Sequence, residues 1–180
     1  MSFNEITLEQ LIDANGHEGN KSLYGDHCPS SFAASKMNAS NRGTRIENVV
    51  FQHIKNMGYE ATQTVHTGEW DITVELTDRP VRVEVKSACV SNNGKPNKRG
   101  DISKCFRFMG ICPERFEYIV FAFVHPTEGI ILKWTTSEKF KQQWSSKRKE
   151  SRKGYNLPVS LDMAHKDVEL FDMESFPDEL

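Results

Sequence analysis

The sequence predicts a single α/β domain in which a mixed central β-sheet is flanked by helices. Three observations lead to this prediction: an amphipathic helical segment, two adjacent segments that alternate apolar and polar residues, and one segment that is apolar throughout. With 180 residues, the chain is long enough for one domain with its own core. We find no repeat and no domain boundary, so we expect one domain over 1–180, with its core at 43–134 and peripheral segments at 1–40 and 150–180.

Helical patterns mark the beginning and the middle of the chain. Thr7, with Gln10 three residues later, forms a capping-box pattern that predicts a short helix over "TLEQLIDA". The stretch 15–40 is rich in Gly, Ser, Asn and Ala without clear periodicity, so we predict mostly loop there. In "TRIENVVFQHIKNMG" apolar residues recur at helical spacing, and the final Gly58 is a typical helix stop. Glu47 lies beside that apolar stripe.

Five segments are typical of β-strands: 59–65, 69–76, 81–88, 118–124 and 130–135. The fourth is apolar at every position, which indicates a strand covered on both faces. The second and third alternate, and their predicted core side consists of Trp70, Ile72, Val74, Val81, Val83 and Val85.

Two further elements are predicted near the C-terminus. Thr135 and Glu138 form a second capping box, which predicts a helix over "KFKQQWSSKRK". The segment "LPVSLDM" is compatible with an edge strand.

The composition favours a protein of the cytoplasm. No apolar run is long enough to span a membrane, and the N-terminus lacks the basic start and apolar stretch of a secretory signal. No two cysteines have the spacing of a zinc knuckle. We therefore expect four free thiols, at Cys28, Cys89, Cys105 and Cys112.

The charges are distributed unevenly, although the net charge is only -2. Six bases and one acid lie between Lys86 and Arg107, and eight bases and two acids lie between Lys133 and Lys153. The chain from Asp162 onward carries seven acids and one lysine. The basic segments could contact phosphate groups or could simply be solvated faces, and the charge pattern does not distinguish the two.

An acid and a lysine occur together in "VRVEVKSA", which places Glu84 and Lys86 on one face of a strand. If "TDRP" joins this strand to the preceding one as a hairpin that pairs Leu76 with Val81, Asp71 faces Lys86. Asp71 and Glu84 are then diagonal neighbours on the polar face, within reach of a shared ion.

Two converging carboxylates repel each other unless a cation lies between them. A small set of oxygen ligands suits Mg²⁺, which keeps several waters and also binds substrate phosphate oxygens. Such an ion polarises a phosphodiester, and Lys86 would orient the attacking water or stabilise charge in the transition state. A structural role is also compatible, in which Asp71, Arg82, Glu84 and Lys86 form a salt-bridge ladder on a solvated sheet face.

The surrounding sequence resembles the core of the PD-(D/E)XK nuclease superfamily, which includes restriction endonucleases, junction resolvases, some homing endonucleases and repair nucleases. The similarity covers "GTRIENVVFQHIKNMGYE", "GEWDITVEL" and "VRVEVKSA", within residues 43–88. The order is that of the family: a helix with a glutamate, a strand with an aspartate, then a strand with acid-x-lysine. Trp70 stands where the family name has proline, and that proline is frequently absent.

The resemblance implies a restriction-endonuclease-like fold and hydrolysis of DNA with Mg²⁺, for which Mn²⁺ could substitute. It implies that Asp71, Glu84 and Lys86 are catalytic. The implied metal ligands are Asp71, Glu84, Glu47 and the backbone carbonyl of Val85. A homodimer acting on double-stranded or branched DNA is expected, with no membrane partner. Two alternatives remain: an inactive nucleic-acid-binding module of the same fold, and a structural domain with a solvated polar hairpin face.

A basic loop follows the acid-x-lysine strand. In this position its cations would lie close to bound DNA, where phosphate contacts are their natural role, although an ordinary solvated loop has the same composition. The candidate nucleic-acid-binding residues are Lys95, Lys98, Arg99, Lys104 and Arg107. Phe106 and Phe108 flank the last of these and could stack on bases or pack in the core.

Overall fold

The structure, a computed structural model, describes residues 5–6, 28–64, 69–92, 104–143, 154–165 and 167–176. The helices are α1 (Pro29–Lys36), α2 (Ala39–Asn56) and α3 (Ser137–Gln143), with a 3-10 turn at Met173–Ser175. The strands are β1 (Glu5–Ile6), β2 (Glu60–Gln63), β3 (Ile72–Glu75), β4 (Pro80–Asn92), β5 (Lys104–Ile111), β6 (Tyr118–His125), β7 (Gly129–Thr136), β8 (Tyr155–Val159) and β9 (Phe171–Asp172).

The predicted fold class is confirmed, because a mixed sheet lies between helices. The strand order along the sheet is β1-β7-β6-β4-β3-β2. Strand β4 runs parallel to β6, whereas the neighbouring strands β3 and β7 pair antiparallel with β4 and β6 respectively. The far end of β4 pairs with β5, and β5 pairs with β8, so β4 links the central sheet to a second group of strands.

Apolar residues cover both faces of the central sheet. Strand β6 is buried along its whole length, as predicted from its uniformly apolar sequence. One core lies under α1 and α2, and it also includes Met173 and Phe176 from the C-terminal region. The other core contains Phe140 of α3 and the inner face of β5 and β8. Phe106 and Phe108 are buried there, so they pack in the core and do not stack on bases.

Helix α2 is longer than its sequence pattern indicated. Its N-cap is Asn38, whose side-chain oxygen accepts from the Asn41 N–H at 2.8 Å. The helix ends before Gly58, which adopts a φ of +97° and so confirms the predicted stop. The preceding α1 was not predicted, because its buried positions are Ser30, Ser31 and Ala34 and these small residues give no apolar periodicity.

The register predicted for the β3–β4 hairpin is wrong by two residues. Val74 pairs with Val81, and Leu76 closes a tighter turn by donating its N–H to the Arg79 carbonyl at 3.1 Å. Pro80 lies at the first position of β4, where a strand tolerates a residue without an N–H. Because side chains alternate with a period of two, this shift leaves each residue of β4 on its predicted face.

Three smaller predictions also change. Trp70 does not join the core: its indole N–H donates to Thr73 Oγ1 at 3.0 Å, and its ring lies 5.6 Å from the Arg82 guanidinium carbon. The first turn of α3 is capped by Thr136, which accepts from the Lys139 N–H at 3.0 Å, whereas Thr135 is buried at the end of β7. Edge strand β8 was anticipated, but β5 was not.

The four cysteines are free thiols, as predicted. The helix expected at Thr7–Gln10 lies outside the described residues, as does the C-terminal part of the helix predicted after Thr135. Among the helices of the described ranges, we find none with both the length and the apolar character needed to cross a membrane.

Candidate active site

Asp71 lies immediately before β3 and is fixed by its backbone and its side chain. Its N–H donates to the Val83 carbonyl at 3.1 Å, and its carbonyl accepts from the Thr64 N–H at 2.9 Å. The carboxylate oxygen Oδ2 accepts from the Val85 N–H at 2.7 Å. These contacts hold the carboxylate beside the segment of β4 that contains Glu84, in place of the predicted position opposite Lys86.

Burial raises the pKa of Asp71, although the Val85 N–H and the charge of Lys86 act to lower it. The carboxylate is therefore held in a position where its negative charge is disfavoured. An additional positive charge nearby would stabilise it.

Glu84 and Lys86 point to the same side of β4, and their charged groups form an ion pair. The Glu84 side chain is only 12% exposed and that of Lys86 is 27% exposed. Burial, assisted by the charge of Asp71, raises the pKa of Glu84 despite the opposing influence of Lys86 and Arg115. The lysine thus compensates the glutamate only in part.

Glu47 reaches the same region from helix α2. The helix packs on the sheet through Ile46, Val49 and Val50, and Glu47 lies beside this buried stripe. Burial raises the pKa of Glu47 to about 7, with further contributions from Asp71 and, to a lesser extent, Glu84, while Lys86 acts in the opposite direction. One turn earlier on α2, a Cβ at Gly43 would lie 3.5 Å from Glu47 Oε1, which is an ordinary contact distance.

The three carboxylates come from three different places in the sequence, and burial is the largest cause of the raised pKa in each. The charge of Asp71 also raises the pKa of Glu47 and of Glu84, while Lys86 acts to lower the pKa of all three. Among the described residues, however, no three His, Cys, Asp or Glu side chains are gathered into a group that could hold a metal ion. In the conformation described, Glu84 accepts a hydrogen bond from Lys86, and Asp71 accepts one from the Val85 N–H.

The donor set fits a hard cation in its chemistry. All the candidate side-chain ligands are carboxylates, and oxygen ligands of this kind are those that Mg²⁺ prefers. Lys86 acts to lower the pKa of all three acids, but burial still raises the pKa of each. The role of the Val85 carbonyl stays a prediction, since the contact that involves this residue is made by its N–H.

The predicted nucleic-acid-binding residues are only partly covered by the structure. Lys95, Lys98 and Arg99 lie outside the described residues, whereas Lys104 and Arg107 are exposed on β5. Two antiparallel pairings, Val90 with Phe106 and Asn92 with Lys104, put Lys104 on the face of the sheet that also carries Lys86.

By the same alternation, Arg107 projects from the opposite face of β5, away from the acid-lysine pair. The structure thus brings only one of these two cations to the face of the candidate site.

Two residues of the β5–β6 connection lie close to the site and were missed by sequence reasoning. Glu117 binds Arg82, two residues before Glu84, and Arg115 acts on the charge of Glu84. Neither belongs to a recognisable pattern, because they reach β4 only through the parallel pairing of β6 with β4. No sequence signal available to us could have identified them.

No protein-family model matches the sequence, and no curated protein matches it either. A search of solved structures finds a similarity to a bacterial homing endonuclease, I-Ssp6803I, with a TM-score of 0.43 and 13% sequence identity. The superposition covers 68% of this chain and 75% of that one. Because the TM-score lies below 0.5, we base no functional inference on this similarity.

Proposed function

We propose that this protein is a metal-dependent endonuclease that hydrolyses phosphodiester bonds in DNA. The observation that best supports the proposal is the position of Asp71, which the Val85 N–H holds at 2.7 Å beside the ion pair of Glu84 and Lys86. Such pairs of carboxylates and an amine, partly buried in one place, are more typical of a reactive site than of a solvated sheet face. Of these residues, Glu84 and Lys86 form the acid-x-lysine motif of the sequence.

Asp71, Glu84 and Glu47 would hold the ion, together with the Val85 carbonyl. When bound, Mg²⁺ or Mn²⁺ polarises the phosphodiester and makes an attacking water more acidic. The contact from the Val85 N–H keeps the Asp71 carboxylate oriented, so little reorganisation is needed there. Lys86 carries a positive charge next to Glu84 and would orient the nucleophile or stabilise negative charge that develops on the phosphate.

DNA would approach along the face that carries Lys86 and Lys104. Both cations lie on one side of the sheet, and phosphate contacts fit their charge. Lys95, Lys98 and Arg99 are proposed as further phosphate contacts, and Arg107 as one from the other face. We also propose a homodimer, because two copies of such a site can cut two strands.

A plasmid-nicking assay tests the proposal. The wild-type protein is expected to cut DNA with Mg²⁺ and to stop when a chelator is added. Asp71→Asn, Glu84→Gln and Lys86→Gln should each abolish cutting. Glu75→Gln is the matched control, because Glu75 is an exposed acid on β3.

Cutting that persists in the chelator or in Glu84→Gln would contradict the metal site. DNA binding without cutting by the wild-type protein would favour an inactive binding module, and no binding would favour a structural domain. A panel of linear, branched and mismatched duplexes then identifies the DNA structure that is cleaved, and sedimentation equilibrium tests the dimer.

A further inference from the structure

Trp70 is a large aromatic residue that lies outside both cores. Among the aromatic residues in the parts of the chain that the structure describes, it alone belongs to neither hydrophobic cluster. The residue is partly exposed and directly precedes Asp71. The fold gains less from this indole than from a buried one, because an apolar ring stabilises a protein mainly through burial. Its place beside the candidate site therefore calls for another explanation.

Two contacts hold the Trp70 ring on the polar face of the β3–β4 hairpin. Its indole N–H donates to Thr73 Oγ1 at 3.0 Å, and the Arg82 guanidinium carbon lies 5.6 Å from the centre of the ring. Thr73 and Arg82 pair across the two strands and so point to the same side of the sheet. That side also carries Glu84 and Lys86, because alternate residues of β4 share a face.

The guanidinium that lies over the ring is itself fixed. Arg82 Nη2 donates to Glu117 Oε1 at 2.6 Å, and Arg82 Nε donates to Glu117 Oε2 at 3.0 Å. The Arg82 backbone N–H donates to the same carboxylate at 2.7 Å. A cation within about 6 Å of an indole centroid is attracted to the face of the ring. The indole is thus oriented before any ligand binds, which keeps the entropic cost of a stacking contact low.

The ring lies close enough to the acid-lysine pair for a single DNA strand to contact both. Arg82 and Glu84 are two residues apart on one face of β4, which corresponds to about 6.5 Å along the strand. Lys86 and Lys104 carry positive charge on the same face, where they would hold a phosphate backbone. A nucleobase attached to that backbone is a flat ligand of the kind that stacks on an indole.

We propose that Trp70 is a base-stacking residue of the site and that the base it binds is unpaired. A base inside a duplex is covered on both faces by its neighbours, so only an unpaired base next to the cleaved phosphate offers a free face to the indole. This inference rests on the proposed function and makes it more specific. The substrate class becomes DNA with unpaired nucleotides at the cleaved position, such as a fork, a flap or a bulge.

Three DNAs of one sequence test the stacking contact: a paired duplex, a fork with one unpaired arm, and the same fork with abasic nucleotides in that arm. Affinities are measured by fluorescence anisotropy in chelator, so that binding is separated from cleavage. We expect the wild-type protein to bind the fork about tenfold more tightly than the duplex, and the abasic fork to lose this advantage.

Variants of Trp70 assign the effect to the indole, with thermal melts to verify that each is folded. Trp70→Ala should bind the fork about tenfold more weakly than the wild-type protein and should not distinguish it from the abasic fork. Trp70→Phe should recover much of the affinity, because it keeps an aromatic face. Met109→Ala is the matched control: Met109 is 61% exposed and lies on the opposite face of β5 from Lys104, so all three affinities should stay at their wild-type values.

The outcome for Trp70 is separable from that for the proposed function. Equal affinity of the wild-type protein for the fork and the abasic fork would overturn the stacking contact, whether or not the protein cuts DNA. An equal loss of affinity for all three DNAs in Trp70→Ala would also overturn it, because that is the effect of a structural role. Preferential binding of the fork through Trp70 without cleavage in Mg²⁺ would overturn only the nuclease. A protein that binds none of these DNAs would overturn both.

Discussion

Two ion pairs lie next to each other on one face of β4, and their acids behave in opposite ways. Partial burial acts to raise the pKa of Glu117, but the hydrogen bonds from Arg82 outweigh it and hold that pKa below its usual value. Burial of Glu84 likewise raises its pKa, and there Lys86 does not outweigh it. Both acids face a cation, but only Glu117 is fully compensated.

The difference lies in the neighbours and not in the residue types. Glu117 accepts from two nitrogens of the Arg82 guanidinium and from the Arg82 backbone N–H. Glu84 is more deeply buried and shares its lysine with two other acids, Asp71 and Glu47. An acid that remains uncompensated inside a folded protein costs stability, so its presence calls for a functional explanation. The Arg82–Glu117 pair needs only a structural one.

The rate of DNA cleavage should show the largest difference between variants of the two ion pairs. We expect Glu84→Gln to lower the single-turnover rate of DNA cleavage by about 1000-fold, because it removes a ligand of the reacting centre. Glu117→Gln should lower it by about tenfold, because it acts only through the position of its connection. Equal losses in the two variants, measured with the same duplex, would erase the functional distinction between the pairs.

The free energy of unfolding should show the reverse order, with the larger loss in Glu117→Gln. Glu117→Gln is expected to reduce the free energy of unfolding by about 1–2 kcal/mol, a value kept low because both side chains are partly solvated. In metal-free protein, Glu84→Gln should cost less than this, since the charge it removes is disfavoured by burial. Urea denaturation of the two variants at neutral pH makes the comparison, and a larger loss in Glu84→Gln would contradict it.

The pH dependence of stability should differ in sign between the two kinds of acid. The pKa of Glu47 is about 7 in the folded chain against 4.5 for an unperturbed glutamate, so folded protein retains a proton that unfolded protein releases. Its contribution to the free energy of unfolding is therefore complete below pH 4.5 and is lost as the pH rises to about 7. Glu117 has a lowered pKa, so its contribution is present above pH 4.5 and is lost as the pH falls.

Urea titrations between pH 4.5 and 8, in chelator, test this sign. The wild-type protein should lose stability as the pH rises from 4.5 to about 7, and Glu47→Gln should flatten the loss. An unchanged pH profile in Glu47→Gln would show that Glu47 does not titrate in this window.

The smallest effect is expected at Gly43. Gly43→Ala should raise the free energy of unfolding by about 0.5–1 kcal/mol, because alanine is the better helix former and the added Cβ meets Glu47 Oε1 at an ordinary contact distance of 3.5 Å. Cleavage should stay within about twofold of the wild-type rate. Gly43→Leu is the contrasting variant, since a large side chain at this position would displace Glu47 and lower cleavage.

The sequence was sufficient to predict which side of a strand each residue faces, but not which residues pair across the β3–β4 hairpin. Alternation placed Glu84 and Lys86 on one side of β4 and the valines on the other, and this survived a two-residue error in register because the side-chain period is two. The register itself depends on the turn, where Leu76 pairs with Arg79, and a Thr-Asp turn carries no strong signal for its length.

Other parts of the site lay beyond sequence reasoning for a different reason. Arg115 and Glu117 come to β4 through a parallel pairing between strands that are distant in the chain, and no local pattern encodes such a contact. Trp70 was assigned to the core from alternation alone, but it precedes the first paired residue of β3, so the alternation does not apply to it. Helix α1 was missed because its buried face is built from serine and alanine.

Binding of Mn²⁺, followed by the loss of the free-ion electron paramagnetic resonance signal at pH 7.5, tests the central claim most directly. The account predicts that the wild-type protein binds Mn²⁺, that Asp71→Asn and Glu84→Gln abolish binding, and that Glu117→Gln retains it. Equal Mn²⁺ binding in Glu84→Gln and in the wild-type protein, or no binding by either, would contradict a cation shared by Glu47, Asp71 and Glu84.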